Sequence, residues 1–269
     1  VFTISTLIVY FMTHAITTEE ARRIFGTGFF GDTASLFFID RSITIPDRVP
    51  LSERDAKHLA FLGFDLFFVP EQDDDKEMFT PFFLMRWWEN SGHKALLLYE
   101  YKDIYKWYTK NKESFFYKES LRSGWFCIKR YPLVGTSFSV YKKQTEALLN
   151  YLDHEQNEMD VSFFKNDVPD ESLQTLQALP EDASLALFTV NQNYRTSFTE
   201  ELFRAIVFSY ANIKLPLEDF YVWTNTVYEG KEIVRIGAFD EQGADVTKRD
   251  IFDGNSKTEL TPVIHVGFA

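Results

Sequence analysis

The side chains best suited to recognition chemistry sit in one short stretch, Asn191-Gln-Asn-Tyr-Arg195, just ahead of Ser197-Phe-Thr-Glu200. Amides and a guanidinium in that pattern can meet a carboxylate, a sugar or a peptide group with paired hydrogen bonds. The same groups can instead satisfy buried backbone where a chain turns into a helix. Trp223 and Asn225 follow in Phe220-Tyr-Val-Trp-Thr-Asn-Thr. An indole lines a pocket at a sheet edge and is core in a sheet interior. Asp240 opens Asp240-Glu-Gln-Gly243, where an aspartate bonds its own backbone two residues on and forms a turn. Gln192, Arg195, Trp223, Asn225 and Asp240 are therefore the candidate binding residues. Acting together, Gln192, Arg195 and the Trp223 strand must share one exposed surface, with Arg195 keeping donors unspent.

No catalytic residue stands out by motif. His14, His58, His93, His154 and His265 form neither H-x-x-x-H nor H-E-x-x-H, so no helical zinc site is expected. Cys127 is the one cysteine, which rules out an intramolecular disulfide and a zinc site on paired cysteines. Its apolar run, Trp125-Phe-Cys-Ile, predicts a buried small hydrophobe. Gly26-Thr-Gly28 with Gly31 follows a helix rather than a strand and makes a poor phosphate cradle. The acidic run Glu71-Gln-Asp-Asp-Asp-Lys-Glu77 lacks the glycine and distal glutamate of a calcium loop and reads as a solvated loop. No metal and no cofactor are expected. With 40 Asp and Glu residues, some carboxylates meet by chance, so spacing cannot name an acid–base pair. A cleft with two convergent carboxylates, or His265 against an acid, would favour an enzyme; a flat aromatic patch would favour binding.

The elements that must position these residues are marked by caps and punctuation. Helices are predicted from Thr17 or Thr18 to Phe25, over 53–62 behind Ser52, over 81–90 behind Pro81, over 138–155, over 171–179, and over 197–210 behind a capping box. Strands are predicted at 64–69, 94–101, 125–131, 220–227, 232–239, 244–248 and 262–268, with Gly230 and Gly243 at turns. The segment 185–190 fits either state. Residues 156–183, with Pro169 and Pro180, read as an acidic linker or insertion. The division is thus a mixed region at 12–155, the linker, and a helix with an antiparallel β-unit at 184–269, or one continuous domain. The fold class is α+β: a mixed N-terminal region and a C-terminal antiparallel β-unit packed with helix 197–210.

Composition narrows the partners. The formal net charge of −12 and pI near 4.9 disfavour nucleic acid and anionic membrane surfaces. A 17% aromatic share supports a large core. Val1 to Phe11 is apolar and uncharged but short of the ~20 residues a span needs. It reads as dispensable upstream sequence before Met12 or as the end of a truncated signal peptide; a capped helix following at once favours the former, and with it a cytoplasmic location.

Four ordered segments, taken together, resemble an uncharacterised bacterial protein family known from genome and metagenome sequencing. They are Thr17-Thr-Glu-Glu-Ala-Arg-Arg-Ile-Phe-Gly; Ser123-Gly-Trp-Phe with Tyr141-Lys-Lys-Gln-Thr-Glu; Val190-Asn-Gln-Asn-Tyr-Arg with Glu200-Glu-Leu-Phe; and Trp223-Thr to Gly237 to Asp240-x-x-Gly243. The resemblance runs from about Thr17 onward and implies no activity. Residues 220–269 are also weakly similar to the end of C-type-lectin-like modules. The expected function is a non-enzymatic binding or interaction protein, for a protein or a polar small-molecule ligand. The alternatives are a hydrolase with a dispersed carboxylate or His/Asp site, and a structural component of a mobile element.

Overall fold

The computed structural model describes residues 15–33, 43–71, 79–91, 114–156, 173–178, 185, 188–211, 213, 220–229, 232–240, 243–254 and 257–267. The readings of residues 1–14, most of the acidic run, the strand at 94–101 and most of the linker lie outside these residues.

Side-chain caps set four of the helix starts. Helix α1 (Thr18–Phe25) opens on Thr17, which exchanges hydrogen bonds with Glu20 in a capping box. Helix α2 (Glu53–Phe61) starts at Ser52, whose hydroxyl accepts from Asp55 N. Gly63, at φ +77°, turns the chain after α2 in a conformation that only glycine adopts freely. Helix α3 (Pro81–Asn90) carries proline in its first turn behind Thr80. Helices α4 (Phe115–Lys118), α5 (Tyr141–Gln156), α6 (Leu173–Ala178) and α7 (Thr189–Tyr194) follow. Helix α8 (Phe198–Tyr210) has the expected reciprocal cap of Ser197 and Glu200. The polar stretch ahead of α8 is itself mostly helical, as α7.

Strands β1 (Ile16–Thr17) and β3 (Arg48–Val49) pair on their own. Strand β10 (Val263–Gly267), β5 (Gly124–Lys129), β4 (Phe64–Val69) and β2 (Phe29–Phe30) form one four-stranded sheet, in that order. Only β2–β4 is parallel there. A second sheet runs β8 (Gly243–Asp250), β7 (Glu232–Asp240), β6 (Tyr221–Glu229), β9 (Thr258–Glu259). Its three long strands are an antiparallel meander. Gly237 is required there: a Cβ would fall on the Phe220 carbonyl oxygen and within 2.5 Å of Tyr221 Cα.

Alternation along these strands deals side chains to two cores. Phe67, Val69, Phe126, Ile128 and Val263 point to one, with Val222, Val234 and Ile236 from the second sheet and the apolar positions of α8. Leu66, Phe68, Trp125, Cys127 and Ile264 point to the other, with α1, α2, α5 and the Trp223 side of the second sheet. Every residue of β4 is buried because both of its faces are covered. The protein is α+β, with helices on sheets and, among the described residues, no repeating βαβ unit. The C-terminal strand β10 completes the sheet built by β4 and β5, so the stretches before and after residues 156–183 share a sheet. No helix among the described residues is long and apolar enough to cross a membrane.

Candidate functional site

Four of the five candidate binding residues converge where α7 passes into α8, but as scaffold rather than as an open surface. Arg195 is 0% exposed. Its Nε donates to Asn191 Oδ1 (3.0 Å), Nη1 to Gln144 Oε1 (3.0 Å) and the Trp223 carbonyl (3.5 Å), and Nη2 to Thr145 Oγ1 (3.4 Å). The guanidinium also lies 3.9 Å from the Tyr141 ring centroid. Trp223 is wholly buried, edge-on to Tyr141. The expected exposed surface shared by Gln192, Arg195 and Trp223 is therefore absent, because α5 and β6 close over the guanidinium. Asn225 performs the backbone task expected of Gln192 and Arg195. Its Nδ2 donates to the carbonyls of Asn191 (3.1 Å) and Arg195 (3.0 Å), with that of Gln192 at 3.4 Å. Gln192 is half-buried at the rim. Asp240 is remote, at the β7–β8 turn where it pairs with Gly243.

A different group of titratable side chains gathers around the first turn of α8. Glu200 uses its two oxygens for two tasks. Oε2 accepts from Ser197 N (2.7 Å) and closes the capping box. Oε1 lies 3.0 Å from His265 Nε2, on β10. The cap fixes the carboxylate's orientation, and the carboxylate in turn fixes the imidazole. In the neutral ring a carboxylate partner favours the tautomer with its proton on Nε2, so that Nδ1 is the acceptor nitrogen. The ring rests on Phe126, centroids 6.1 Å apart, and its side chain is 19% exposed.

Glu119, just after α4, enters the same region. Its Oε1 accepts from Thr199 N (2.9 Å) and Thr199 Oγ1, and its Oε2 from Thr226 Oγ1. The residue is half-buried, and its carboxylate end is the enclosed part. Burial pushes the Glu119 carboxyl above the ordinary range; the hydroxyl and amide donors oppose this, and the charge of Glu200 adds to it. Glu200 goes the other way. Burial alone would raise it, but the charge and hydrogen bond of His265, the Ser197 amide and the charge of Arg122 together bring it below the ordinary range. Arg122 reaches the Gln192 carbonyl at 3.4 Å. One turn further along α8, Glu201 and Arg204 form a fully buried ion pair. Arg204 also donates to the Lys129 carbonyl, and Thr196 Oγ1 donates to Glu201.

This arrangement can hold a base at His265 Nδ1 beside two carboxyls whose proton affinities are pushed in opposite directions. Sequence spacing missed it, because Glu119, Glu200 and His265 come from three distant segments. The capping box named Glu200 for its structural task only. An open depression of about 670 Å³ between α1 and α2 lies elsewhere. It is lined by Arg23, Ile24, Glu53, Lys57, Ala60 and Phe61, with the Lys57–Glu53 pair along its α2 wall, and this lining has no imidazole or cluster of acids. Among the described residues no group of three or more His, Cys, Asp or Glu could hold a metal ion. Cys127 is buried with its thiol pushed up by burial, so it is no nucleophile here. The chain matches no family model, no curated protein and no solved structure.

Proposed function

We propose that the protein is a hydrolase of the acid–base kind, in which the Glu200–His265 pair activates water and Glu119 protonates the leaving group. The observation that carries this reading is the 3.0 Å contact between His265 Nε2 and Glu200 Oε1. Helix capping accounts for Glu200 Oε2 but not for an imidazole on Oε1. In the proposed step, His265 Nδ1 takes a proton from water, and Glu200 stabilises the imidazolium that forms. Glu119, whose proton affinity burial raises, gives a proton to the departing atom. The substrate bond is therefore one whose leaving group needs a proton, such as an ester or a glycoside. The test is a panel of chromogenic esters, glycosides and phosphodiesters. We expect turnover on at least one, lowered by about 10²–10⁴-fold in both His265→Gln and Glu119→Gln with the urea midpoint of His265→Gln little changed. Wild-type hydrolysis no faster than that of His265→Gln would overturn the reading.

A second reading, the non-enzymatic interaction protein, is favoured by a separate observation. Val134 and Phe138 are 102% and 61% exposed, and Phe252 is 45% exposed on a neighbouring loop. Those loops are tied by the Tyr141 N to Ile251 O hydrogen bond of 3.1 Å. Phe138 holds φ at +56°, a conformation unfavourable for a bulky side chain. A strained, solvent-facing ring suits a contact surface. Phe138→Asn, which tolerates that backbone, should abolish binding in a peptide-array screen while leaving thermal stability equal or higher. Retained binding sinks this reading. The family resemblance supports neither, since it implies no activity.

A further inference from the structure

A second cluster of chemically capable side chains lies across the first sheet from the His265 group, where α2 and α5 meet the ends of β4 and β5. Lys129 ends β5, with its Nζ donating to the Leu62 carbonyl. That amine lies 5.4 Å from the Phe64 ring centroid and 5.9 Å from that of Tyr151. Among the described residues it has no carboxylate within ion-pair distance. Tyr151 and Glu155 are one turn apart on α5 and so share a face. Glu155 Oε2 is 2.6 Å from His58 Nε2, which links α5 to α2. Tyr151 Oη is buried and makes no hydrogen bond among the described residues. An amine between aromatic walls, an unspent phenol and an imidazole–carboxylate pair therefore occupy one half-buried corner. Among the described residues nothing else hydrogen-bonds the phenol.

We infer that Lys129 is a reactive amine that forms an imine with a small aldehyde or ketone, with Tyr151 and the His58–Glu155 pair handling protons. Burial holds the Lys129 ammonium below the ordinary lysine range, with Glu155 opposing, which raises the fraction of free amine at neutral pH. As the free amine, Nζ keeps an N–H for the Leu62 carbonyl and presents its lone pair. That pair attacks the carbonyl carbon; a C–N bond forms, and the carbonyl oxygen takes a proton, for which Tyr151 Oη is the unspent donor. The nitrogen releases its two protons in turn through the His58–Glu155 pair: one restores the Tyr151 phenol and the other goes to the carbinolamine hydroxyl, whose C–O bond breaks so that it leaves as water. The sum is amine plus carbonyl giving imine plus water, with no oxidant or reductant consumed. This assignment is independent of the hydrolase reading, since the two clusters share no side chain.

The test traps the imine. The intact protein is incubated with pyridoxal and sodium cyanoborohydride, and modified lysines are located by peptide mass spectrometry over time. Lys129 should be modified at least about tenfold faster than Lys57 and Lys143. Both comparison lysines are well exposed, at 63% and 67% of their side chains. Modification of Lys129 no faster than these two would overturn the inference. Tyr151→Phe removes an oxygen that has no hydrogen bond among the described residues, so packing is retained. It should slow modification of Lys129 and leave Lys57 unchanged. An unchanged Lys129 rate in that variant and in Glu155→Gln would overturn the proton-handling roles.

Discussion

Arg195 is a buried cation whose bonding partners are two amides, a hydroxyl and a carbonyl, with no carboxylate within ion-pair distance among the described residues. The Tyr141 face supplies the remaining attraction. Burial costs a guanidinium heavily unless its donors are spent, and here they are spent on α5, α7 and β6. Burial also lifts the Tyr141 phenol, to about 12. We expect Arg195→Met to destabilise by on the order of 3 kcal/mol in urea titration, because the amides it leaves are stranded. Arg195→Lys should not rescue, since an ammonium lacks the planar spread that reaches all these acceptors. A neutral Arg195→Met would mean that water enters the joint. Sequence alone identified this residue as exceptional but not its direction, because hydrogen-bonding capacity reads the same whether it is spent outward or inward. Glu119 gives a second residue-scale prediction. Its folded-state affinity for a proton exceeds that of an unfolded glutamate, ordinarily near 4.5. The stability it contributes is present below that value and is lost as pH rises through the raised folded value. Glu200 has the opposite sign: its contribution is present above the ordinary value and is lost as pH falls through its lowered one. Glu119→Gln should therefore flatten the decline of stability with rising pH just above 4.5, read by urea midpoints across pH. An unaltered slope would show that Glu119 titrates normally.

At the scale of elements, α8 concentrates the molecule's buried charge. Its first turns carry Glu200, Glu201 and Arg204, and Glu119 docks on the Thr199 amide. Carboxylates belong there, because the helix N-terminus presents unpaired N–H groups and a partial positive charge. The Ser197 hydroxyl accepts from Glu200 N at 3.2 Å. Ser197→Ala should cost about 0.5–2 kcal/mol in denaturant titration. It should also loosen the Glu200 carboxylate that holds His265, so a histidine proton resonance in NMR should shift with the cap. A cap variant with unchanged stability and unchanged resonance would detach the cap from the candidate site. This helix was legible in sequence because Ser197-Phe-Thr-Glu200 encodes its own start, and α1 and α2 were legible for the same local reason. The site was not, since nothing local to Glu119 or His265 records that α4 and β10 end beside α8. The segment 185–190 was ambiguous for a related reason: a short apolar run carries no period, and only the packing of Val190 and Tyr194 against α5 settles α7.

At the scale of the whole molecule, the last strand ties the chain together. β10 pairs with β5 through Val263, Ile264 and His265, and Lys129 N bonds the Pro262 carbonyl at 3.0 Å. Each of the two cores draws on both four-stranded sheets and on helices from both halves of the sequence. Composition alone suggested a break at 156–183, because an acidic, proline-bearing stretch resembles a linker whether or not its flanks share a sheet. Strand pairing at a separation of more than a hundred residues leaves no local mark. A fold built this way should unfold as one unit. We expect calorimetry to give one transition, with the calorimetric and van't Hoff enthalpies equal. Deleting residues 262–269 should then do more than fray an end: it removes the Val263 and Ile264 contributions to both cores and exposes the edge of β5. The truncated protein should lose its near-ultraviolet circular dichroism throughout, including the signal of Trp125 beside β10 and of Trp223 in the other sheet. A separate fragment of residues 184–269 should likewise fail to fold, because its apolar faces lack their partners. Two resolved calorimetric transitions, or a folded 184–269 fragment, would show that the shared strand is a contact between independent domains rather than part of one core.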